Sequence, residues 1–372
     1  TPTAGVLVRE LRAAGGIQIS ASHNPPEYNG IKLFSAEGRV IPAAAGQKVL
    51  DAYRAGVIHW ARHDALGRPV ACADATSRHL ELVLATVEQE RIRKAAFRVL
   101  LDSNHGAGSL LGRRLLEALG CRVTIHGEQP DGRYEHTPEP TAENLASVLL
   151  RVRQTGCDVG FCQDPDADRL AIIDEQGRYI GEEYTPAICV DHVLRATPGP
   201  VVTNCSTSRM TEDLAARYGA PFFRSAVGEA NVVDAMRLHG AVLGGEGNGG
   251  VIDPRVVLVR DSFVSMALVL DAMAARKMKI SQLADELPRY EIVKTKIALS
   301  PAKIPAGLDA LSRHFADAKT DRLDGLRLDW PGKWLLVRAS NTEPIVRAIA
   351  EAPTAAEAQR LCDEAAAVLA SI

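Results

Sequence analysis

The sequence predicts an α/β protein of several domains, because three observations agree. Strand-like and helix-like segments alternate over most of the 372 residues, which is typical of α/β units. The chain is too long for a single hydrophobic core, so roughly two to four domains are expected. Towards the C-terminus, close-spaced strands with flanking helices indicate a smaller α+β domain. We place the domain boundaries near residues 72, 179 and 289.

The segment 97–126 shows the alternation most clearly. A strand over 97–102 leads into a polar turn, and leucines at helical spacing then predict a helix that ends at Gly120. A second strand follows over 121–125. The same patterns predict strands near 157–162, 170–174, 200–204, 221–224 and 241–244, helices near 141–155, 209–218 and 229–238, and, in the C-terminal part, strands at 291–298, 326–330, 333–339 and 344–351 with helices near 306–317 and from 354.

Charge and composition exclude several classes of protein. The net charge is −3 and the pI about 6.4, so no basic face for nucleic acid or anionic membrane is predicted. No apolar run approaches the ~20 residues of a membrane span. Seven cysteines are scattered without a C-x-x-C pair, which favours reduced core thiols in a cytoplasmic protein over zinc ligands.

The first loop with chemical potential follows the strand-like run at 17–19. Ser22 and His23 stand in a stretch of small and polar residues, and Pro25 and Pro26 prevent a helix from starting there. Ser22 is therefore a candidate nucleophile or phosphate acceptor. A plain polar turn is the alternative interpretation.

The second loop carries three carboxylates directly after a predicted strand. Asp164, Asp166 and Asp168 can converge on one point, where they would repel one another unless a divalent cation neutralises them. Oxygen ligands favour Mg²⁺, Mn²⁺ or Ca²⁺ over zinc. Arg169 adds a planar guanidinium that suits a phosphate group.

An EF-hand calcium loop is the rival interpretation of the same stretch. Glu175 falls at loop position 12, but Arg169 occupies the position that needs glycine, and Ile172 occupies position 9. Residues 170–174 also resemble a strand rather than a helix. An acidic surface turn without a metal remains open as a further alternative.

The third loop is rich in glycine and contains a formal G-x-G-x-x-G at Gly245, Gly247 and Gly250. A dinucleotide site would require a helix to begin there, whereas 251–254 (Val-Ile-Asp-Pro) starts one poorly. Glu246 and Asn248 would then suit sugar hydroxyls, which both donate and accept hydrogen bonds. A flexible connector is the alternative.

The fourth loop interrupts two predicted strands near the C-terminus. It offers a guanidinium, hydroxyl groups and an amide, which are the donors that a phosphate dianion requires. The candidate phosphate ligands are Arg338, Ser340, Asn341, Thr342 and Arg347. A polar hairpin turn is the alternative. Taken together, the four loops describe one site with a phosphorylatable hydroxyl, a hard cation, a polyol-binding loop and a phosphate clamp.

At these four motifs the sequence resembles the α-D-phosphohexomutase superfamily. Ser20–Pro25 matches a phosphoserine loop of the type T/S-A/G-S-H-N-P, and Asp164–Arg169 matches D-G-D-x-D-R with Pro165 in place of glycine. Gly245–Gly249 matches G-E-x-S-G with Asn248 in place of serine. Residues 338–344 match R-x-S-N-T-x-P, and Lys32 falls where the family carries an active-site lysine.

The resemblance implies three α/β domains with mixed sheets and a smaller C-terminal α+β domain around a central cleft. These would span 1–72, 73–179, 180–289 and 290–372 and carry the four loops in order. It further implies an opening segment with an F-G-T-x-G-I-R-G-like loop, which this sequence does not contain and whose arginine belongs to the active site. The chain would accordingly be the N-terminally truncated remainder of such an enzyme.

The resemblance also implies the chemistry. A phosphoserine at Ser22, primed by a hexose 1,6-bisphosphate, would exchange phosphoryl groups with a hexose monophosphate. One Mg²⁺ would be held by Ser22 and the three aspartates, and Lys32 and Arg169 would stabilise charge on the moving group. His23 and Glu229 are candidates for proton transfer to the sugar oxygen.

Phosphoglucosamine mutase is the favoured activity, with phosphomannomutase/phosphoglucomutase as the alternative. A metal-dependent phosphatase and a non-catalytic sugar-phosphate-binding protein are hypotheses of other classes. The expected partner is the hexose monophosphate, with no nucleic acid or membrane, and the expected assembly is a monomer or homodimer.

Overall fold

The fold is known from a computed structural model, which describes residues 1–24, 27–56, 58–340 and 345–372. The helices in that part of the chain are α1 (Pro2–Glu10), α2 (Ala43–Ala55), α3 (Ser77–Leu84), α4 (Gln89–Ala95), α5 (Ser109–Ala118), α6 (Ala146–Thr155), α7 (Tyr184–Ala196), α8 (Met210–Arg217), α9 (Glu229–His239), α10 (Ser262–Arg276), α11 (Ile280–Asp285), α12 (Ile304–His314) and α13 (Ala355–Ala370). Short 3₁₀ turns lie at His63–Ala65 and Pro301–Lys303.

The strands found in the described residues form four separate sheets. They are β1 (Gly15–Ile19), β2 (Ile31–Ser35), β3 (Arg98–Asp102), β4 (Arg122–His126), β5 (Val159–Gln163), β6 (Leu170–Asp174), β7 (Val201–Asn204), β8 (Phe222–Ser225), β9 (Leu243–Glu246), β10 (Gly250–Ile252), β11 (Glu291–Ala298), β12 (Lys319–Asp321), β13 (Leu326–Trp330), β14 (Lys333–Ala339) and β15 (Ile345–Ala352).

Sheet topology confirms the predicted fold class. The second sheet, β4-β3-β5-β6, and the third, β10-β9-β7-β8, are mixed, with one antiparallel edge strand each. The fourth, β11-β15-β14-β13-β12, is fully antiparallel, as suits an α+β unit. In the described residues the first sheet is the antiparallel β1–β2 pair alone. No helix in the described part of the chain is long and apolar enough to cross a membrane.

Two central helices, α7 and α10, are absent from the sequence prediction. Every residue of α10 from Ser262 to Ala274 is buried, and α7 is buried along most of its length and packs against it. A helix that is covered on all sides has no polar face, so its sequence lacks the 3.6-residue period by which helices are predicted. The side chain of Asp261 caps α10 by accepting from the backbone N–H groups of Phe263 and Val264.

Helix α6 begins later than predicted, at Ala146 rather than near residue 141. The preceding residues form a turn in which the side chain of Asn144 donates to the carbonyl of Glu139 over 2.8 Å. Such side-chain bonds offer the backbone an alternative to the helix.

The predicted domain boundaries near residues 72, 179 and 289 stay predictions.

All seven cysteines are free, and six of them are buried. That arrangement agrees with the expectation of core thiols.

Candidate active site

Ser22 projects from the loop after β1 towards residues 164–169 between β5 and β6, which we call the acidic turn. Its backbone has a φ of +52°, a left-handed conformation that is uncommon for a residue with a side chain. The hydroxyl lies 3.3 Å from Oδ2 of Asp164 and 3.2 Å from Nδ1 of His23. The sequence therefore brings residues 142 positions apart into one place. Pro25 and Pro26, which close the predicted motif, lie outside the described residues.

The acidic turn joins two buried antiparallel strands, β5 and β6, which fix both of its ends. Oδ1 of Asp164 accepts from the backbone N–H groups of Asp168 and Arg169, each over 3.1 Å. The neighbouring loop braces it, since the N–H of Ala107 donates to the carbonyl of Pro165 over 2.8 Å. A side chain at Gly106 would lie within 2.6 Å of that same carbonyl, so a glycine is needed where the two loops meet.

Electrostatics in the turn favour bound positive charge. The Lys32 ammonium contacts Asp166 and lies 3.0 Å from Asp168. Burial alone would lower the pKa of Lys32, but Asp168 and Asp166 raise it above its usual value. Burial, together with Asp168 and Asp166, raises the pKa of Asp164 well above its usual range, so Lys32 does not compensate all three carboxylates.

The three aspartates fit a divalent cation. One oxygen from each of Asp164, Asp166 and Asp168 lies within 4.8 Å of the others, and no other such group of acidic, histidine or cysteine side chains occurs in the described residues. Oδ1 of Asp166 and Oδ1 of Asp168 are buried and accept no hydrogen bond. Buried acceptors without a partner are costly, and a hard cation with oxygen ligands would satisfy both.

A cleft of about 410 Å³ lies between the third and fourth sheets and next to the acidic turn. Arg169 connects the two, because it lines the cleft and its Nε lies 3.8 Å from Oδ1 of Asp168. The predicted sugar-loop and phosphate residues Glu246, Asn248, Arg338 and Arg347 also line it. The cleft thus collects side chains from three of the four predicted loops.

Two arginines lie side by side on adjacent strands of the fourth sheet. Arg338 on β14 is the direct partner of Arg347 on β15, and like charges in that arrangement are unfavourable unless an anion lies between them. Arg338 is held by Asp324, whose Oδ2 accepts from its Nε over 2.9 Å. Ser340 lies two residues after Arg338, and its N–H donates to the carbonyl of Ile345. Asn341 and Thr342 lie outside the described residues.

The Glu246 carboxylate is already engaged. Its Oε1 accepts from Nδ2 of Asn204 over 2.7 Å and from the N–H of Gly228 over 3.1 Å. Its Oε2 accepts from Arg260 over 2.6 Å, and Nδ2 of Asn248 lies 3.5 Å away. The predicted pair is therefore side by side, but a sugar hydroxyl would have to share Glu246 with these donors.

Arg260 is the main residue that sequence reasoning missed. Its guanidinium contacts three carboxylates, at 2.7 Å to Asp168, 2.6 Å to Glu246 and 3.1 Å to Glu229. It belongs to no motif, and the available signal was an arginine directly before an N-cap aspartate. Asn204 was also missed, although it stands at the carboxyl end of β7, where α/β sheets place functional side chains.

Four family models match the chain in order. They describe phosphoglucomutase/phosphomannomutase alpha/beta/alpha domain I at residues 1–57, domain II at 77–177, domain III at 182–290 and the C-terminal domain at 294–368. The chain belongs to the phosphoglucomutase/phosphomannomutase family. It is accordingly an isomerase of the phosphohexomutase type.

Relatives agree on the family while their names differ in the sugar. A "Phosphoglucomutase/phosphomannomutase" of Thermococcus kodakarensis is 38% identical over 96% of this chain and 79% of its own length. A "Probable phosphoglucosamine mutase" of Methanopyrus kandleri is 30% identical over 98% of this chain and 80% of its own length. The structure of a phosphoglucomutase/phosphomannomutase family protein from Burkholderia thailandensis superposes with a TM-score of 0.79 at 25% identity, covering 96% of this chain and 76% of that one.

Proposed function

We propose that Ser22 carries the phosphoryl group that this isomerase exchanges with a hexose monophosphate. The supporting observation is the 3.3 Å separation between the Ser22 hydroxyl and Asp164. The left-handed backbone of Ser22 holds the hydroxyl clear of regular structure, as a group must be when two different substrate hydroxyls have to reach it. The adjoining cleft would accommodate the sugar.

The proposed reaction has two transfers. Phospho-Ser22 gives its phosphoryl group to one end of the hexose phosphate, which becomes a hexose 1,6-bisphosphate. The bisphosphate turns over within the cleft, and the phosphate at the other end returns to Ser22. The same bisphosphate would prime an unphosphorylated enzyme.

Mg²⁺ is the proposed cofactor, one per chain, held by Asp164, Asp166, Asp168 and the Ser22 phosphate. When bound it supplies neutralisation of charge on the phosphoryl group. Lys32 and Arg169 add fixed positive charge at the same place. His23, which contacts the Ser22 hydroxyl, would help to position it.

The cleft residues would bind the remainder of the substrate. Arg338 and Arg347 would hold the phosphate that is not reacting, because their mutual repulsion is relieved by an anion. Ser340, Asn341 and Thr342 are proposed for the same phosphate. Glu246 and Asn248 would contact ring hydroxyls.

For the sugar we propose glucosamine phosphate, on account of a smaller cavity that adjoins the cleft at Gly247. This smaller cavity has a volume of about 220 Å³, and its lining includes Glu182, Glu183, Glu351 and Lys294. Oε1 of Glu182 and Oε2 of Glu351 are buried and accept no hydrogen bond. An ammonium substituent would supply the missing donors.

The mannose and glucose phosphates are the second candidates. The observation in their favour is the 38% identity to the Thermococcus kodakarensis protein, which exceeds the 30% identity to the Methanopyrus kandleri protein. A coupled assay with the 1-phosphates of glucosamine, mannose and glucose decides between them. We expect the highest kcat/KM for glucosamine 1-phosphate, and a higher value for either neutral sugar would refute that preference.

Intact-mass spectrometry and phosphate exchange test the role of Ser22. We expect one phosphoryl group on the wild-type protein and on Ser35→Ala, a matched control in the β1–β2 hairpin. Ser22→Ala should lack the group and lose exchange while still binding hexose phosphate. Release of inorganic phosphate instead of isomerisation would favour a phosphatase, and binding without turnover in the wild type would favour a non-catalytic protein.

A further inference from the structure

Glu229 is a buried carboxyl group at the cleft to which the two transfers, as described above, assign no role. It is the first residue of α9, after an N-cap at Gly228 with a φ of +121°, and it lines the cleft together with Glu246 and Arg338. Its side chain is 9% exposed. Its Oε2 accepts from Nε of Arg260 over 3.1 Å, whereas its Oε1 is buried and accepts no hydrogen bond. A partner that arrives with the substrate would satisfy that oxygen.

The proposed transfers require such a group. A sugar hydroxyl must lose a proton when its oxygen bonds to phosphorus, and the sugar oxygen must regain one when the other phosphate leaves. A single group serves both steps best when its pKa lies near the working pH.

Burial raises the pKa of Glu229 to about 7, against the opposing effect of Arg260. That value already includes the raising effects of Asp168 and Glu246 and the lowering effect of Lys32. Apart from Arg260, the charged groups that face the carboxyl group are thus Asp168 of the acidic turn, Glu246 of the glycine-rich loop and Lys32 of the first sheet. Glu229 therefore combines a position at the cleft, an oxygen without a hydrogen-bond partner and a pKa suited to proton transfer.

Neighbouring groups are less suited to the task. Both oxygens of Glu246 are occupied by donors from Asn204, Gly228 and Arg260. His23 is bound to the Ser22 hydroxyl at Nδ1, and its Nε2 is directed towards Glu139 at 3.9 Å.

Arg260 fixes Glu229 relative to the acidic turn. One guanidinium joins Glu229, Glu246 and Asp168. It lies over Gly250, where an added Cβ would come within 2.3 Å of Cδ of Arg260. The glycine therefore makes room for the arginine, which is a positioning residue for Glu229.

We propose that Glu229 is the group that exchanges the proton with the sugar hydroxyl, an inference that rests on the proposed function. In the first transfer the Glu229 carboxylate takes the hydroxyl proton, the sugar oxygen bonds to phosphorus, and the bond from phosphorus to Oγ of Ser22 breaks. Oγ leaves as the alkoxide. In the second transfer this alkoxide attacks the other phosphate, the bond to the sugar oxygen breaks, and Glu229 returns its proton to that oxygen. Protons and charges balance over the cycle.

Glu229→Gln tests the inference, because it keeps the shape and removes the proton acceptor. We expect kcat to fall by roughly 10²- to 10⁴-fold, with KM changed by no more than about threefold and Ser22 still phosphorylated by the bisphosphate. Glu229→Asp should recover part of the rate. Substrate affinity by calorimetry checks that the variant is folded.

The pH profile separates proton transfer from a structural role. The wild-type kcat/KM should fall below pH of about 7, and this limb should be missing from the residual activity of Glu229→Gln. Arg260→Lys, which weakens the hold on the carboxylate, should move the limb to higher pH, whereas Arg237→Lys on the exposed side of α9 should not.

The outcomes distinguish the inference from the proposed function. Absence of exchange in the wild type would refute the function itself. Exchange by Glu229→Gln at the wild-type rate, or with an unchanged acidic limb, would refute the role of Glu229 and leave the function standing.

Discussion

The acidic turn and the glycine-rich loop both present carboxylates to the candidate active site, but their hydrogen bonding is opposite. In the turn, Oδ1 of Asp166 and Oδ1 of Asp168 are buried and accept no hydrogen bond. In the loop, both oxygens of Glu246 are held by protein donors. The acidic turn therefore has carboxylate oxygens that can still bind a ligand, whereas the Glu246 carboxylate in the glycine-rich loop is mostly occupied by hydrogen bonds within the protein.

The difference shows that one motif residue can bind a ligand while another holds neighbouring side chains in position. Orphan carboxylate oxygens are unfavourable in the free protein and become favourable when a cation or a donor arrives. A saturated carboxylate instead fixes its neighbours, and Glu246 fixes Arg260, which in turn contacts Asp168. Substitutions in the two regions should accordingly have different signatures.

The largest effect is expected in the turn. Asp166→Asn removes one of three charges and leaves an amide where Lys32 needs an acceptor. Loss of several kcal/mol of charge stabilisation corresponds to a fall in kcat on the order of 10³-fold. The thermal stabilisation by saturating Mg²⁺ that we expect for the wild type should also be lost.

Differential scanning calorimetry with and without Mg²⁺ and a turnover assay check this prediction. Asp363→Asn on the exposed face of α13 is the control and should behave as the wild type does. An Asp166→Asn protein that retains its Mg²⁺-dependent shift in Tm would show that the turn is not the cation site.

An intermediate effect is expected at the arginine pair. Arg347→Gln would remove one proposed charge-assisted contact to the distal phosphate. Such a contact is worth about 1.5–3 kcal/mol, which corresponds to a rise in KM of roughly 10- to 100-fold. The change in kcat should be smaller, because the distal phosphate is not the reacting one. Steady-state kinetics with Arg360→Gln as a control measure this, and a fall in kcat at unchanged KM would contradict the assignment.

A substitution in the glycine-rich loop is expected to have the smallest effect on turnover but a clear effect on stability. Glu246→Gln leaves Arg260 with two carboxylate partners instead of three, so the free energy of unfolding should fall by about 2 kcal/mol. Activity should fall less than 10-fold, roughly 1.4 kcal/mol or less. Denaturant titration with the exposed Glu286→Gln as control checks the first value. A Glu246→Gln protein of wild-type stability and greatly reduced kcat would show that Glu246 acts only through its contacts with the sugar and does not stabilise the position of Arg260.

Sequence patterns predicted most of the strands and the order of the loops, although they did not predict β2, β10 or β12. These features could be predicted because strand periodicity and turn chemistry are local. The proximity of Ser22 to the acidic turn was instead expected from the four motifs taken together and from the family resemblance, and the 3.3 Å separation from Asp164 agrees with it. Patterns could not show that α10 exists, since a helix buried on every side has no period. Nor could they show that Arg260 joins the acidic turn, the glycine-rich loop and the start of α9, because these contacts depend on how α10 packs and on the space above Gly250.

The central claim is that Ser22 and the acidic turn share one divalent cation. Anomalous diffraction from crystals of the phosphorylated protein grown with Mn²⁺ tests it most directly. We predict one strong peak at about 2.0–2.3 Å from oxygens of Asp164, Asp166, Asp168 and the phosphate on Ser22, and a weaker peak or none in Ser22→Ala. A peak bound elsewhere, or one of equal strength at the turn in Ser22→Ala, would contradict the claim.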